Sequence, residues 1–188
     1  MNIILFGPPG AGKGTQADTL VKNFDLLKIS TGDLLRDEVS KKTEIGLVIK
    51  SKIDAGLLVS DKIINDLIVK ILSRKDCFNR LIFDGYPRNL NQANALKELL
   101  NKYDQKIDLV LKLSVSLETI TKRIVERQAL EKRDDDSAEI AIKRYKTYEI
   151  STEPMIEYYK KLNLLKVIDG ERPIDQINKE ISDITSLI

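Results

Sequence analysis

GPPGAGKGT, residues 7–15, follows directly on the apolar run Asn2-Ile3-Ile4-Leu5-Phe6. The stretch nearly fits the phosphate-loop pattern G-x-x-x-x-G-K-[ST], but Gly14 follows Lys13 and the hydroxyl comes one place late, at Thr15. A strand-like run before it and helix-like sequence after it, from Thr15 to Phe24, supply the context such a motif needs. Glycines let the backbone curl closely round an anion with several N–H groups turned inward. The helix N-terminus adds a favourable dipole, and Lys13 adds a mobile cation. A tight strand-to-helix turn would account for the glycines but not for Lys13, so phosphate binding is the stronger reading.

Outward from this loop the same rhythm repeats. Leu81-Ile82-Phe83, Leu109-Val110-Leu111-Lys112-Leu113 and Leu165-Lys166-Val167-Ile168 are short apolar runs, each preceded by helix-like spacing such as Leu67, Ile68, Ile71 and Leu72. Strand-length apolar runs alternating with helices predict an α/β fold: a parallel sheet covered by helices on both faces. Lys28-Ile29, ahead of a Ser30-Thr31 helix cap, supplies a very short fifth strand. The last helix is expected to start near Pro173 with Ile174, Ile177, Ile181 and Ile184 as its apolar stripe. Two regions interrupt the rhythm. Residues 30–59 read as short helices broken at Gly46 and Gly56, and Gln128 to Asp136 as a polar segment between helices. Both are expected to be mobile elements mounted on a rigid core.

With 188 residues the chain suits one compact domain, and its 42% hydrophobic and 32% charged residues are ordinary for a soluble protein. A net charge of +2 gives no case for a nucleic-acid or membrane partner. The single cysteine, Cys77, excludes an internal disulfide framework and a cysteine-rich zinc site, and the chain has no histidine to act as general base. The N-terminus enters a strand without a basic preface, and no apolar run reaches the ~18 residues of a membrane helix. A cytoplasmic location is expected.

Phosphate loops serve both switch GTPases and kinases. Asn101-Lys102-Tyr103-Asp104 spells the guanine-reading box N-K-x-D, but it trails Leu96, Leu99 and Leu100 at helical spacing instead of following a buried strand. A solvated helix end explains it better. After the strand at 81–83 comes Asp84-Gly85-Tyr86-Pro87-Arg88, which is not the D-x-x-G of a switch. An aspartate at a strand end beside a phosphate loop is well placed to hold Mg²⁺ through water, although a turn cap would use the same residue.

Four segments stand together: Gly7–Thr15 with its extra glycine, Ser30-Thr31-Gly32-Asp33-Leu34-Leu35-Arg36, Asp84–Arg88 with Gln92, and Arg123-Ile124-Val125-Glu126-Arg127. In order and spacing they resemble the adenylate kinases, end to end. The resemblance implies a three-layer phosphate-loop fold around a five-stranded parallel sheet, as a single kinase domain over residues 1–188. Residues 30–59 would form the AMP-binding insertion and about 126–136 a short lid. It further implies reversible, Mg²⁺-dependent transfer from ATP to AMP giving two ADP, by a monomer.

Carried over by position, Gly10, Ala11, Gly12, Lys13, Gly14 and Thr15 would hold the ATP phosphates, with Lys13 on the transferring group. Thr31, Arg36, the backbone at Leu57, Leu58 and Val59, the turn Gly85, Tyr86, Pro87 and Arg88, and the Gln92 amide would bind AMP. Arg123 resembles the arginine stacked on the ATP adenine and Arg127 one reaching its phosphates. Arg133 and Arg144 resemble arginines that close over the phosphates, and backbone near Arg172 would frame the adenine. Asp84 would bind Mg²⁺ through water. Read without the family, Arg123 and Arg127 are equally well a solvated helix face, being one turn apart.

Only five residues, Gln128 to Lys132, separate Arg127 from Arg133, which resembles the short-lid variant and implies no zinc. Leu57 stands where a longer or charged residue is common, but the contact there is backbone. A UMP/CMP kinase shares most of these motifs, yet usually has alanine for Thr31 and asparagine for Gln92. GTP as donor, and a nucleotide-binding regulator without catalysis, are further alternatives.

Overall fold

The computed structural model describes residues 1–55, 57–131 and 137–188. Strands β1 (Asn2–Phe6), β2 (Leu27–Ser30), β3 (Leu81–Asp84), β4 (Leu109–Ser114) and β5 (Leu165–Asp169) form one sheet in the order β2-β3-β1-β4-β5. Every pairing is parallel. Such pairings need crossover connections, and helices supply them: α1 (Lys13–Phe24), α2 (Thr31–Ser40), α3 (Glu44–Asp54), α4 (Asp61–Leu72), α5 (Leu90–Asn101), α6 (Leu117–Glu131), α7 (Ala138–Ser151) and α8 (Glu153–Lys161), while α9 (Ile174–Thr185) follows the last strand. This is the α/β fold that the strand and helix rhythm predicts.

The core lies in two layers because alternate strand residues face opposite sides of the sheet. Ile4, Phe6, Phe83 and Val110 pack with Ile68 and Leu72 of α4, Leu96 of α5 and Tyr159 of α8. Ile3, Leu5, Ile82 and Leu111 pack with Ala17 and Leu20 of α1, Ile120 and Ile124 of α6 and Ile177 and Ile181 of α9. Each fully buried large apolar side chain contributes about 1.5–3 kcal/mol, so β1, with Ile3, Ile4 and Leu5 all at 0% exposure, anchors both layers. Buried Asn2 closes the base of the sheet, donating from Nδ2 to Lys106 O (2.9 Å) and accepting from Leu81 N (3.1 Å).

Several element boundaries differ from those read from the sequence. Helix α1 starts at Lys13, two residues before Thr15, so the lysine belongs to the first turn. The expected break at Gly46 is not one: Gly46 lies inside α3, and the turn comes earlier, at Lys42 (φ 51°). Gly46 is there for close approach. A Cβ built on it would stand 2.0 Å from Glu38 O of α2, so only glycine lets α3 cross α2 so closely. The break expected at Gly56 lies outside the described residues. Gln128 does not open a loop, since α6 runs on to Glu131; residues 132–136, the rest of that segment, lie outside the described residues. In α9, Ile174 is 59% exposed and the stripe begins at Ile177. Asn101 ends α5, so the N-K-x-D match falls at a helix end, as its spacing indicates.

Candidate active site

β1 sits between β3 and β4. At such a switch point the chains leave the sheet to opposite sides and open a crevice beyond the strand ends. The phosphate loop fills this position. Gly10 (φ 83°) and Gly12 (φ 93°) hold left-handed conformations, which glycine adopts without a steric penalty, and Gly12 is the N-cap of α1. Among the described residues no side chain caps α1, and its first turn carries no acidic residue. Its orphan N–H groups therefore face the loop, where an anion can take them.

Lys13 arches back over this loop, donating from Nζ to Gly7 O (2.7 Å) and Pro8 O (3.0 Å). Burial pulls its ammonium down to about 8, and Arg88, Arg144 and Arg127 push the same way against the attraction of Asp84. The register pairs Leu5 with Asp84, so β3 delivers this carboxylate next to the loop's origin. A Cβ on Gly14 would lie 3.9 Å from Asp84 Oδ2 and 3.9 Å from Lys28 Nζ, so a carboxylate and an additional cation face the loop.

One cleft, lined in part by Gly7, Pro9 and Lys13, continues into the region under α2 and α3. There it collects Thr31, Arg36, Leu57, Leu58, Val59, Gly85, Pro87, Arg88 and Gln92, with Arg144 reaching in from α7. Thr31 is buried and donates to Gly85 O (2.8 Å); the same carbonyl accepts from Arg88 Nε (2.8 Å). The Ser30 cap accepts from Asp33 N (3.3 Å) and starts α2 so that Arg36 comes one turn after Thr31. Arg36 is paired with Asp33: burial, the largest single effect, pushes that carboxyl up, but the hydrogen bonds of Arg36 and Ser30 and the charges of Arg36 and Lys28 together hold it below its usual value. Arg88 is lowered to about 10, first by burial and then by Arg144, with Asp84 opposing and Arg36 adding to the shift. Cations crowded into one cleft hold each other in a strained state that anions would relieve.

Other expected residues fall outside this cleft. Tyr86 is fully buried, its ring tilted against that of Phe83 (centroids 6.3 Å apart) with its hydroxyl donating to Asn65 Oδ1, so only its backbone faces the turn. Arg123 donates to Gly170 O (3.0 Å), bringing α6 and the turn after β5 together. Arg127 lies one turn further along α6, near enough to act on Lys13. Arg172 is tied to Asp169 and Glu180. Arg133 lies outside the described residues.

Residues without a motif complete the walls. Thr147, Tyr148 and Thr152 line the cleft beside Arg144, and Thr152 donates to Arg88 O (3.1 Å). Asp61 and Asn89 back the Gln92 amide. A polar residue next to a helix start was their only signal in the sequence.

The chain matches the adenylate kinase family model over residues 5–164. It belongs to the adenylate kinase family. It is 44% identical over 210 residues to the adenylate kinase of Pelagibacter ubique, covering 98% of this chain and 99% of that protein. With the adenylate kinase of Archaeoglobus fulgidus it shares 38% over 215 residues, covering 100% and 99%. With that of Xanthomonas euvesicatoria it shares 44% over 182 residues, 97% of each. Alignments of 210 and 215 positions exceed the 188 residues of this chain, so those two adenylate kinases carry segments it lacks. Among the described residues no helix is long and apolar enough to cross a membrane.

Proposed function

We propose that this adenylate kinase family member transfers the terminal phosphoryl group of ATP reversibly to AMP, giving two ADP, with the roles divided along the cleft. The single observation that carries the division is that one cleft joins Lys13 of the phosphate loop to Thr31, Arg36, Arg88 and Gln92. Gly10–Thr15 take the ATP phosphates. Thr31, Arg36, the segment 57–59, Gly85–Arg88 and Gln92 take AMP. Lys13, Arg88, Arg127 and Arg144 surround the group in flight, with Arg133 added from the lid. Arg123 and the backbone near Arg172 frame the donor adenine.

The chemistry asks for position and charge. The attacking oxygen of AMP is already ionised near neutral pH, so no general base is needed. The transferring group gains stabilisation from fixed cations around it. Magnesium fits the same arrangement. Among the described residues no group of three or more carboxylate, cysteine or histidine side chains could hold a metal alone. A magnesium ion would therefore take its oxygens from nucleotide phosphates and water, with Asp84 holding it through that water, a usual mode in such sites. When bound, it would neutralise charge on the phosphates. Residues 30–59 and about 126–136 act as covers that exclude water from the transfer. The family resemblance also supports a monomer and a cytoplasmic location.

Turnover with ATP and Mg²⁺ against AMP, UMP, CMP and GMP tests the assignment, with AMP expected to lead by a wide margin. Arg88→Ala should lower turnover with every acceptor. Gln92→Ala should act chiefly on the preference for AMP. Equal losses with all acceptors in Gln92→Ala would remove the base-reading role.

A further inference from the structure

Gln92 is 2% exposed, and both ends of its amide are engaged by the protein. Its Oε1 accepts from Arg88 N (2.8 Å) and its Nε2 donates to Asp61 Oδ1 (2.7 Å). Asp61 is the first residue of α4, two places beyond Val59. The same carboxylate accepts from Asn89 Nδ2 (3.0 and 3.3 Å), while Asn89 Oδ1 caps α5 by accepting from Gln92 N (2.8 Å). The Asn89 amide is thus fixed as well. The arrangement is a closed polar network behind the cleft wall: Asp61 does not line the cleft, whereas Gln92 does.

Chemistry allows this network one orientation. An ionised carboxylate only accepts, and a backbone N–H only donates. Turning the Gln92 amide over would set its oxygen against the carboxylate and its NH₂ against the Arg88 N–H, leaving both contacts repulsive. One N–H and one lone pair of the amide remain for a ligand, with donor and acceptor at fixed ends. The adenine edge offers an amino donor at C6 and an acceptor at N1. A 6-oxopurine offers the reverse, an acceptor at C6 and a donor at N1. A fixed amide therefore satisfies one edge and opposes the other.

We propose that Asp61 is a specificity-determining positioning residue: by holding the Gln92 amide in one orientation, it makes the acceptor site choose 6-aminopurine over 6-oxopurine monophosphates. This rests on the reading that Gln92 faces the acceptor base. Asp61 does not touch the substrate; it acts through Gln92. Removal of Asp61 leaves Arg88 N–H as the one remaining constraint, so the amide can turn and accept the opposite edge.

The test compares kcat/KM for AMP and for inosine monophosphate, which differ in just this edge, in the wild type and in Asp61→Ala, Asp61→Asn and Gln92→Ala. Loss of one charge-assisted hydrogen bond should lower the AMP-to-IMP ratio of Asp61→Ala on the order of tenfold or more. Asp61→Asn keeps an oxygen facing Nε2 and should recover most of the ratio. A residue that merely supports the start of α4 would lower both values together and leave the ratio unchanged, which would overturn the proposal, as would a ratio in Asp61→Asn as low as in Asp61→Ala. Gln92→Ala separates the two levels. If it leaves the ratio unchanged, the base-reading role fails and the proposal with it; if it lowers the ratio and Asp61→Ala does not, the positioning role alone fails.

Discussion

On the proposed reading, Lys13, held over its own loop by Gly7 O and Pro8 O, exchanges these carbonyls for phosphate oxygens when nucleotide arrives. Its lowered pKa of about 8 gives this exchange a pH signature. Above pH 8 most free molecules carry a neutral Lys13. Phosphates favour the charged form, so bound nucleotide raises the pKa and the complex holds more protons than the free protein. ATP affinity should therefore fall as pH rises past 8. Calorimetry at pH 8.5 in two buffers of different ionisation enthalpy should show proton uptake in the wild type and none in Lys13→Met. Equal heats in the two buffers for the wild type would contradict the lowered pKa. Lys13→Met should also lose about 10²–10³ in turnover while its circular dichroism stays unchanged, since one electrostatic contact to the transferring group is removed.

At the scale of elements, the pair α2 and α3 builds one wall of the cleft, the proposed acceptor side. Thr43 caps α3 by accepting from Gly46 N (3.0 Å) and donates to the Glu38 carboxylate, so one side chain ties both helices. Gly46 then sets their separation, because a methyl group there meets Glu38 backbone at 2.0–2.5 Å. Gly46→Ala should force the helices apart and cost about 1–3 kcal/mol in urea denaturation, as overpacking does. Thr31 and Arg36 ride on α2, so KM for AMP should rise in this variant while KM for ATP changes little. An unchanged urea denaturation curve would mean that α3 can slide along α2 without penalty.

For the whole molecule, cationic side chains from distant parts of the chain converge on one cleft. Burial strains Arg88 most, and Arg144 and Arg36 both act on it across this common space. A dinucleotide polyphosphate that spans both sites should raise the thermal midpoint, by a stabilisation of about 2.7 kcal/mol at a hundred times its Kd. The rise should shrink at high salt if these arginines carry it. Activity should vanish with a chelator and return in full on adding Mg²⁺ alone. A loss that Mg²⁺ does not reverse would reveal a structural metal.

Local signals determined much of this protein. Apolar runs such as Ile3–Phe6, alternating with helical stretches, pointed to buried parallel strands, and Gly10, Gly12 and Lys13 together after a strand pointed to an anion loop. Thr31, Arg36 and Gln92 were legible only through the resemblance to the adenylate kinases, whereas Arg88 also stood out by its place after a strand end. Tertiary structure decided what depends on contacts distant in the chain. Gly46 reads as a helix break in a window of neighbours, and becomes a helix interior only because α2 lies against it. Tyr86 belongs to the right turn, but the core claims its ring. Asp61 and Gln92 are 31 residues apart, and neither side chain announces the other. A hydrogen bond needs two partners at one distance, and for partners so separated only the packing of α4 against α5 supplies it.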